Sequence, residues 1–365
     1  MAHARGVPRR DSLDACLDPG TSIDKVSTRH AERVRHRLYH GGMRYKKLGR
    51  TSIEISDIGF GAWGIGGKQW IGGSDEESRA ALRRALELGV NFIDTALAYG
   101  DGHSEELVGE IVRSAPGKVY VATKVPPMNL KWPARSGIGI EDVFPYDYVI
   151  ESTEKSLRNL KLDAVDLQQL HVWNTEWTDR DEWKRAFEDL KKSGKAKAVG
   201  VSLNAGDPDS GLELIRTGVC DSVQVVYNIF DQSPNANLLP LALELNVGVL
   251  ARVPLDEGSL TGTITEDTVF EKGEFRDWYF RGRDRKKQVV EHVSALKKDL
   301  VGIDGTLPEI ALRYCLSHPA VSTVIPGMRK VRTVESSCSV SDLGALPADV
   351  LAKLKKHAWV KDFHS

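Results

Sequence analysis

From Arg44 onward, short apolar runs rich in β-branched residues alternate with longer segments whose apolar positions recur at helical spacing. RYKKLGRTSIEISDIGFG holds two brief alternating runs around Gly49-Arg50, which predicts a β-hairpin leading into a first strand, IGFGAWG. Ser74-Asp75-Glu76-Glu77 has capping-box spacing and opens the amphipathic ESRAALRRALELG. NFIDTA then reads as strand, SEELVGEIVRS as helix, VYVATKV as strand and YDYVIESTEKSLRNLK as helix. AVDLQQLHV, AKAVGVSLN, DSVQVVYN, VGVLARVPL and VSTVIPG continue the strands, with DEWKRAFEDLKKSG, GLELIRTG, ANLLPLALELN and LPEIALRYCLSHP as helices between them. PADVLAKLKKH is a terminal helix. Eight strands alternating with helices predict an α/β fold of the (β/α)8 TIM-barrel kind, preceded by a hairpin. A doubly wound parallel sheet is the alternative that alternation leaves open.

Residues 256–305 break this rhythm, separating the seventh strand from its helix by more than a usual connection. They contain FRDWYFRG and a predicted helix, KKQVVEHVSALKKDL. A long insertion at the carboxyl end of a strand is a candidate lid. Its run Arg281-Gly282-Arg283-Asp284-Arg285-Lys286-Lys287 reads as a solvated face rather than a nucleic-acid patch.

Composition narrows the class. The 365 residues carry a net charge of -1, with 41% hydrophobic and 28% charged residues. That balance suits a globular protein with a large core, and gives no global reason to expect nucleic acid or membrane partners. No apolar run approaches the length of a membrane span. Cys16, Cys220, Cys315 and Cys338 are scattered without metal-site spacing, which fits a reducing cytoplasm. Residues 1–42 lack apolar periodicity and a secretory core, so they read as a disordered or non-native extension. Met43 would then be the functional beginning, with residues 43–365 as one barrel domain. His30, His36 and His40 read as solvated side chains in that extension, and no metal is expected.

Gly59-Phe60-Gly61-Ala62-Trp63-Gly64 matches the dinucleotide fingerprint GxGxxG by letter. In that motif the glycines open a helix, whereas here IGGKQWIGG intervenes before the capped helix at Ser74. A glycine-rich first loop that lets the backbone of Gly61, Ala62 and Trp63 approach something bound is the better account. Trp63 and Trp70 would line the pocket mouth or pack beneath it.

Asp94, Tyr99, Lys124 and His171 lie at or just past three successive strand ends. A lysine or histidine ending a strand covered on both faces is costly to bury without partners. The ends of parallel strands are also where α/β proteins place chemistry. Taken singly, Asp94 as a strand-end hydrogen-bonding group, Tyr99 as a loop aromatic and His171 as a satisfied core histidine are ordinary readings. Taken together they point to a site.

The ordered set FIDTALAYGDGHSEELVGE, VATKV, LQQLH, GKAKAVGVS, VPLDEGSLTG and VSTVIPG resembles the aldo-keto reductase family, from Met43 to the C-terminus. The resemblance implies a barrel, a nicotinamide cofactor and small-molecule carbonyl substrates, with Asp94, Tyr99, Lys124 and His171 catalytic. Reduction needs a hydride at carbon and a proton at oxygen, and the cofactor carries only the hydride. Tyrosine ordinarily titrates near about pH 10. Lys124, held by Asp94, is expected to make Tyr99 a better acid, while His171 orients the carbonyl oxygen.

The resemblance further implies that Ser202 and Gln224 bind the nicotinamide carboxamide, helped by Asn204 or Asn228. Many members stack an aromatic ring on the nicotinamide where this chain has Arg252, whose planar guanidinium can also stack. The alternative is Arg252 paired with a carboxylate such as Asp94. Pro254, Leu255, Gly258 and Ser259 are expected near the pyrophosphate. Gly327, Arg329, Lys330, Arg332, Thr333 and Ser337 are expected toward the adenosine end, the cations favouring NADP(H) over NAD(H). Thr333 and Ser337 depart from the family's usual residues. Trp63, Trp70, Tyr99, His171 and Trp173 are the expected substrate pocket, with Trp278 and Tyr279 as further aromatic walls. A cofactor-sensing subunit with little turnover is the alternative function. A metal-dependent hydrolase using His171 and Asp94 lacks the further strand-end ligands such sites use. Nothing in the sequence sets the oligomeric state.

Overall fold

A computed structural model describes residues 42–282, 284–359, 361 and 363. The expectations for residues 1–41, with Cys16, His30, His36 and His40, and for Arg283 lie outside the described residues. Tyr45–Lys47 (β1) and Glu54–Ser56 (β2) pair antiparallel as the predicted hairpin. Eight parallel strands follow: Phe60–Gly61 (β3), Phe92–Asp94 (β4), Tyr120–Val125 (β5), Val165–Leu170 (β6), Ala196–Ser202 (β7), Ser222–Val226 (β8), Gly248–Arg252 (β9) and Val321–Val324 (β10). Each strand pairs with the next in sequence. Parallel bridges Ile58–Val324 and Gly61–Gly327 join the first strand region to the last, so the sheet closes. The doubly wound alternative is therefore excluded.

The helices are Asp75–Glu87 (α1), His103–Arg113 (α2), Tyr146–Leu160 (α3), Asp181–Lys192 (α4), Gly211–Arg216 (α5), Leu238–Glu244 (α6), Phe275–Tyr279 (α7), Arg285–Asp299 (α8), Leu307–Leu316 (α9), Val331–Cys338 (α10) and Ala348–Lys355 (α11). The predicted capping box opens α1: Ser74 accepts from the Glu77 N–H, and Glu77 accepts from the Ser74 N–H. The insertion after β9 supplies α7 and α8. Among the described residues no helix is long and apolar enough to cross a membrane.

The period of two along each strand sorts the core into two layers. Val121 and Val125 on β5, or Val199 and Val201 on β7, face the helices in the outer layer. Phe92, Ala122, Leu167, Ala198 and Leu250 form a separate inner cluster with Leu48, Ile53 and Ile55 of the hairpin. The hairpin thus plugs the amino-terminal mouth of the barrel, its tip fixed by the Arg50 N–H donating to the Asn246 carbonyl at 2.7 Å. With that end filled, only the carboxyl-terminal end is open to form a cavity.

Candidate active site

The same parity that places Phe92, Ala122, Leu167 and Leu250 inside places Asp94, Lys124, Gln169 and Arg252 inside, two residues further along each strand. Ser202 ends β7 with Gln224, in the middle of β8, as its register partner, and His171 follows β6 on the inward count. These ends form the floor of a cavity of about 1220 Å³ lined by Asp94, Tyr99, His171, Ser202, Gln224 and Arg252.

Lys124 is fully buried and all three of its N–H bonds are used. Nζ donates to Asp94 Oδ2 at 2.6 Å, the Thr95 carbonyl at 2.8 Å and Tyr99 Oη at 3.2 Å. Asp94 Oδ1 accepts from Gln224 Nε2 at 2.8 Å and Gln169 Nε2 at 3.2 Å. The Lys124–Asp94 pair therefore has the partners that a buried ion pair requires. Because Tyr99 Oη accepts from Lys124, its own hydrogen is free to serve the cavity. The imidazole of His171 meets the Tyr99 ring edge-on, with centroids 5.7 Å apart.

Glycine packing sets the position of Tyr99. Gly100 adopts φ +67°, and a Cβ there would lie 2.0 Å from the Gly66 carbonyl oxygen, so two loops meet back to back beside the tyrosine. The glycines of the literal fingerprint have a different purpose. The Gly61 N–H bonds the Pro326 carbonyl at 3.0 Å, and a Cβ would sit 2.8 Å from the carbonyl oxygens of Ile325 and Pro326. Gly61 and Gly59, whose N–H bonds the Val324 carbonyl at 2.8 Å, let the barrel close.

Electrostatics depart from expectation at the tyrosine. Burial pushes the Tyr99 phenol above its ordinary range, more than Lys124 draws it down, and Asp94 adds to the rise. Burial opposes the Lys124 ammonium, but Asp94 and Tyr99 outweigh it and leave its pKa raised. Burial, then the charges of Lys124 and Arg252, hold His171 well below the usual histidine range. The floor is thus a charged lysine–aspartate pair, a protonated phenol and a neutral imidazole. Such a set can give a proton to an oxygen that becomes basic.

The cavity extends past Arg252, Pro254, Leu255 and Gly258 to Gly327, Arg329, Lys330, Arg332 and Thr333, with Gly61, Ala62, Trp63 and Trp70 on the facing side. Its volume exceeds the roughly 300–1,000 Å³ usual for a small-molecule pocket. The buried Nε of Arg252 has no partner among the described residues, and space is open around Gly327. Polar groups on the floor, a guanidinium with a free Nε–H midway and three cations at the far end fit a dinucleotide.

Residues 57–358 match the model of the aldo/keto reductase family. The chain belongs to that family. It is 31% identical over 310 residues to "Aldo-keto reductase YhdN" of Bacillus subtilis, covering 82% of this chain and 89% of that one. It is 28% identical over 315 residues to "NADH-specific methylglyoxal reductase" of Escherichia coli, covering 83% and 94%. The solved aldo-keto reductase AKR11C1 of Bacillus halodurans, holo form, superposes with a TM-score of 0.69 at 28% identity, covering 87% and 96%. The family is one of oxidoreductases that bind nicotinamide cofactors.

Against this aldo/keto reductase frame, several expected positions fall elsewhere. Trp173 is fully buried, edge-on to Trp177 and Trp183, because its strand-end loop turns it down among the helices. The cavity wall takes Trp132 instead, whose ring lies edge-on to His171 at 5.8 Å. Asn204 is off the wall: its Oδ1 accepts from Ala134 N–H, while its Nδ2 donates to the Ala134 and Trp173 carbonyls. It clamps the loop that carries Trp132. Asn228 is likewise committed, its Oδ1 accepting from the Phe230 and Asp231 N–H of its own turn and its Nδ2 donating to the Val253 carbonyl after β9. Ser259 and Ser337 are buried off the wall. Arg252 donates to the Leu203 carbonyl at 2.9 Å and makes no carboxylate pair among the described residues. Trp278 is exposed and Tyr279 buried, but Phe275 of the same helix reaches the wall and packs on Trp63 at 4.7 Å. Arg329 lines the cavity and also donates to the Ile71 carbonyl at 2.9 Å. The sequence offered no local signal for Trp132 or Phe275 over their neighbouring aromatics. Gln169 was legible, since it shares the inward parity of Leu167.

Proposed function

We propose that this protein reduces an aldehyde or ketone to an alcohol, with Tyr99 as proton donor and NADP(H) as the preferred cofactor. The observation that carries the reading is the Lys124 ammonium, which donates to Asp94 and to Tyr99 Oη at the foot of the large cavity. When bound, the cofactor supplies the hydride.

Ser202 and Gln224 are the pair for the nicotinamide carboxamide: with its amide nitrogen held by Asp94, Gln224 presents its amide oxygen. Arg252, anchored on the Leu203 carbonyl, would stack beside the nicotinamide. His171, neutral, offers an N–H to the substrate oxygen and orients it without adding charge. Tyr99 keeps its proton until an alkoxide forms, since a phenol is far the stronger acid of the two. The Lys124 ammonium then stabilises the phenolate that remains. A phenol with a raised pKa suits this direction, because it stays protonated at neutral pH.

Trp63, Trp70, Trp132, Phe275 and Leu130 form an apolar wall for a small carbonyl compound. Arg329, Lys330 and Arg332 favour a 2′-phosphate. The described cysteines are free and buried, which suits a cytoplasmic setting. The test is purified protein with NADPH or NADH and a panel of aldehydes and ketones. Substrate-dependent loss of reduced-nicotinamide absorbance is expected. Tight cofactor binding with no turnover on any carbonyl would favour a sensing subunit instead.

A further inference from the structure

The segment leaving β9 takes an unusual path. Val253 (φ 55°), Asp256 (φ 50°), Glu257 (φ 53°) and Gly258 (φ 103°) all occupy the left-handed region, and three of these four carry side chains. The path is braced by Asp256 N–H to the Val253 carbonyl and Gly258 N–H to the Leu255 carbonyl. Its effect is to send adjacent carboxylates in different directions. Asp256 turns into the protein and pairs with Lys361 of the C-terminal segment. Glu257 turns to the cavity and lines its wall beside Gly258.

The charged and titratable groups facing Glu257 come from four elements. They are Asp256 on its own segment, Arg252 at the end of β9, Arg276 and Tyr279 on α7, and Lys361. Each nearby cation is engaged elsewhere: Arg252 with the Leu203 carbonyl, Arg276 with Glu274 and Lys361 with Asp256. No hydrogen bond or ion pair reaches the Glu257 carboxyl among the described residues. Burial, with Asp256 beside it, pushes that carboxyl up to about 7 against the pull of Arg252, Lys361 and Arg276.

The loops after the seventh and eighth barrel strands are the usual seat of phosphate in this architecture. Here those loops are residues 253–258 and 325–333, and both line the one cavity. An ionised carboxylate there would repel a phosphate, whereas a carboxylic acid can donate a hydrogen bond to it. We propose that Glu257 is a further cofactor-binding residue, holding the dinucleotide diphosphate as a neutral carboxylic acid whose O–H donates to a phosphate oxygen. The inference rests on the dinucleotide reading of the cavity. Binding above neutrality then takes up a proton from solvent, because the diphosphate raises the carboxyl pKa further.

The test is titration of the wild-type protein with NADH, followed by tryptophan fluorescence across the pH range. NADH is chosen because the 2′-phosphate of NADPH would itself titrate near about pH 6. The Kd for NADH is expected to rise by up to about tenfold per pH unit above neutrality, as linkage to one proton requires. Calorimetry in two buffers of different ionisation heat should register uptake of as much as one proton on binding. Glu257→Gln keeps a neutral donor, so its Kd should stay low and flat with pH, with no proton uptake. Glu257→Ala should be flat but weaker, and circular dichroism checks that both variants are folded. A flat wild-type profile, or a slope that survives in Glu257→Gln, overturns the proposal. Absence of both NADH and NADPH binding at every pH would remove the dinucleotide reading beneath it.

Discussion

Tyr99 is the residue on which the proposed chemistry turns, and its surroundings keep it protonated until a stronger base such as an alkoxide forms beside it. Its oxygen accepts from Lys124, so the hydroxyl hydrogen is left for a ligand. Tyr99→Phe removes that hydrogen and little else, since the ring and its contacts persist. Carbonyl reduction should fall by about 10²–10⁴-fold, the usual contribution of a positioned acid. Cofactor affinity, read by fluorescence titration, should hardly change; retained turnover would remove the proton-donor role. Arg329 poses the companion question at the far end of the cavity. One guanidinium N–H serves the Ile71 carbonyl, and the others remain for a phosphate. Arg329→Ala should weaken NADPH by roughly tenfold, as for one charge-assisted contact, and NADH much less. Equal losses in the two titrations would cancel the 2′-phosphate assignment. The types and strand-end positions of these residues were legible in the sequence. The direction of the Tyr99 shift was not, because burial outweighs Lys124 and burial is a property of the assembled barrel.

Among the elements, the insertion after β9 and the loop after β3 are built to meet. Phe275 of α7 packs on Trp63 and Trp70, its N–H bonds the Gln69 carbonyl at 2.9 Å, and Arg276 lies over the Trp70 ring. Together they make an aromatic strap across the cavity wall. Aromatic contacts of this kind contribute about 0.5–1.5 kcal/mol each beyond area burial. Phe275→Ala should therefore speed cofactor release about fivefold or more, measured by displacement in stopped-flow fluorescence. An unchanged release rate would mean that the strap does not gate the cofactor. The insertion itself was recognisable from its length, and its second helix from its periodicity. Which aromatic of FRDWYFRG faces the cavity was not recognisable, since a five-residue helix presents every side chain to some neighbour. Asn204 shows the same limit: its amide is spent on Ala134 and Trp173, a contact between distant loops.

For the whole molecule, partly buried histidines link stability to pH. Burial holds His171, His292 and His318 below the ordinary histidine value, with nearby cations adding to the effect. The unfolded chain therefore binds more protons than the native one once pH falls toward about 6.5, the unfolded value. Stability from these groups is complete above that pH and is lost as pH falls toward their depressed folded values. Raised carboxyls such as Glu257 and Glu105 act in the opposite sense, so the histidine part is read as a difference: the urea midpoint of the wild type relative to His171→Gln should fall from neutrality toward pH of about 5. A difference that is flat or rises on acidification would contradict the enclosure of the His171 ring.

The sequence by itself determined the parity of the barrel. Strand side chains alternate with a period of two, so the sequence already sets Asp94, Lys124, Gln169 and Arg252 on the same face as Phe92, Ala122, Leu167 and Leu250; that this face is the inner one came from the closed barrel. The tertiary structure alone decided what surrounds them. Trp132 rather than Trp173 beside His171, Leu203 rather than a carboxylate beneath Arg252, and Glu257 turned to the cavity while Asp256 turns to Lys361 all depend on segments distant in sequence. Loop side chains obey no repeat, so their partners are chosen only when the chain closes and the space available to each becomes fixed.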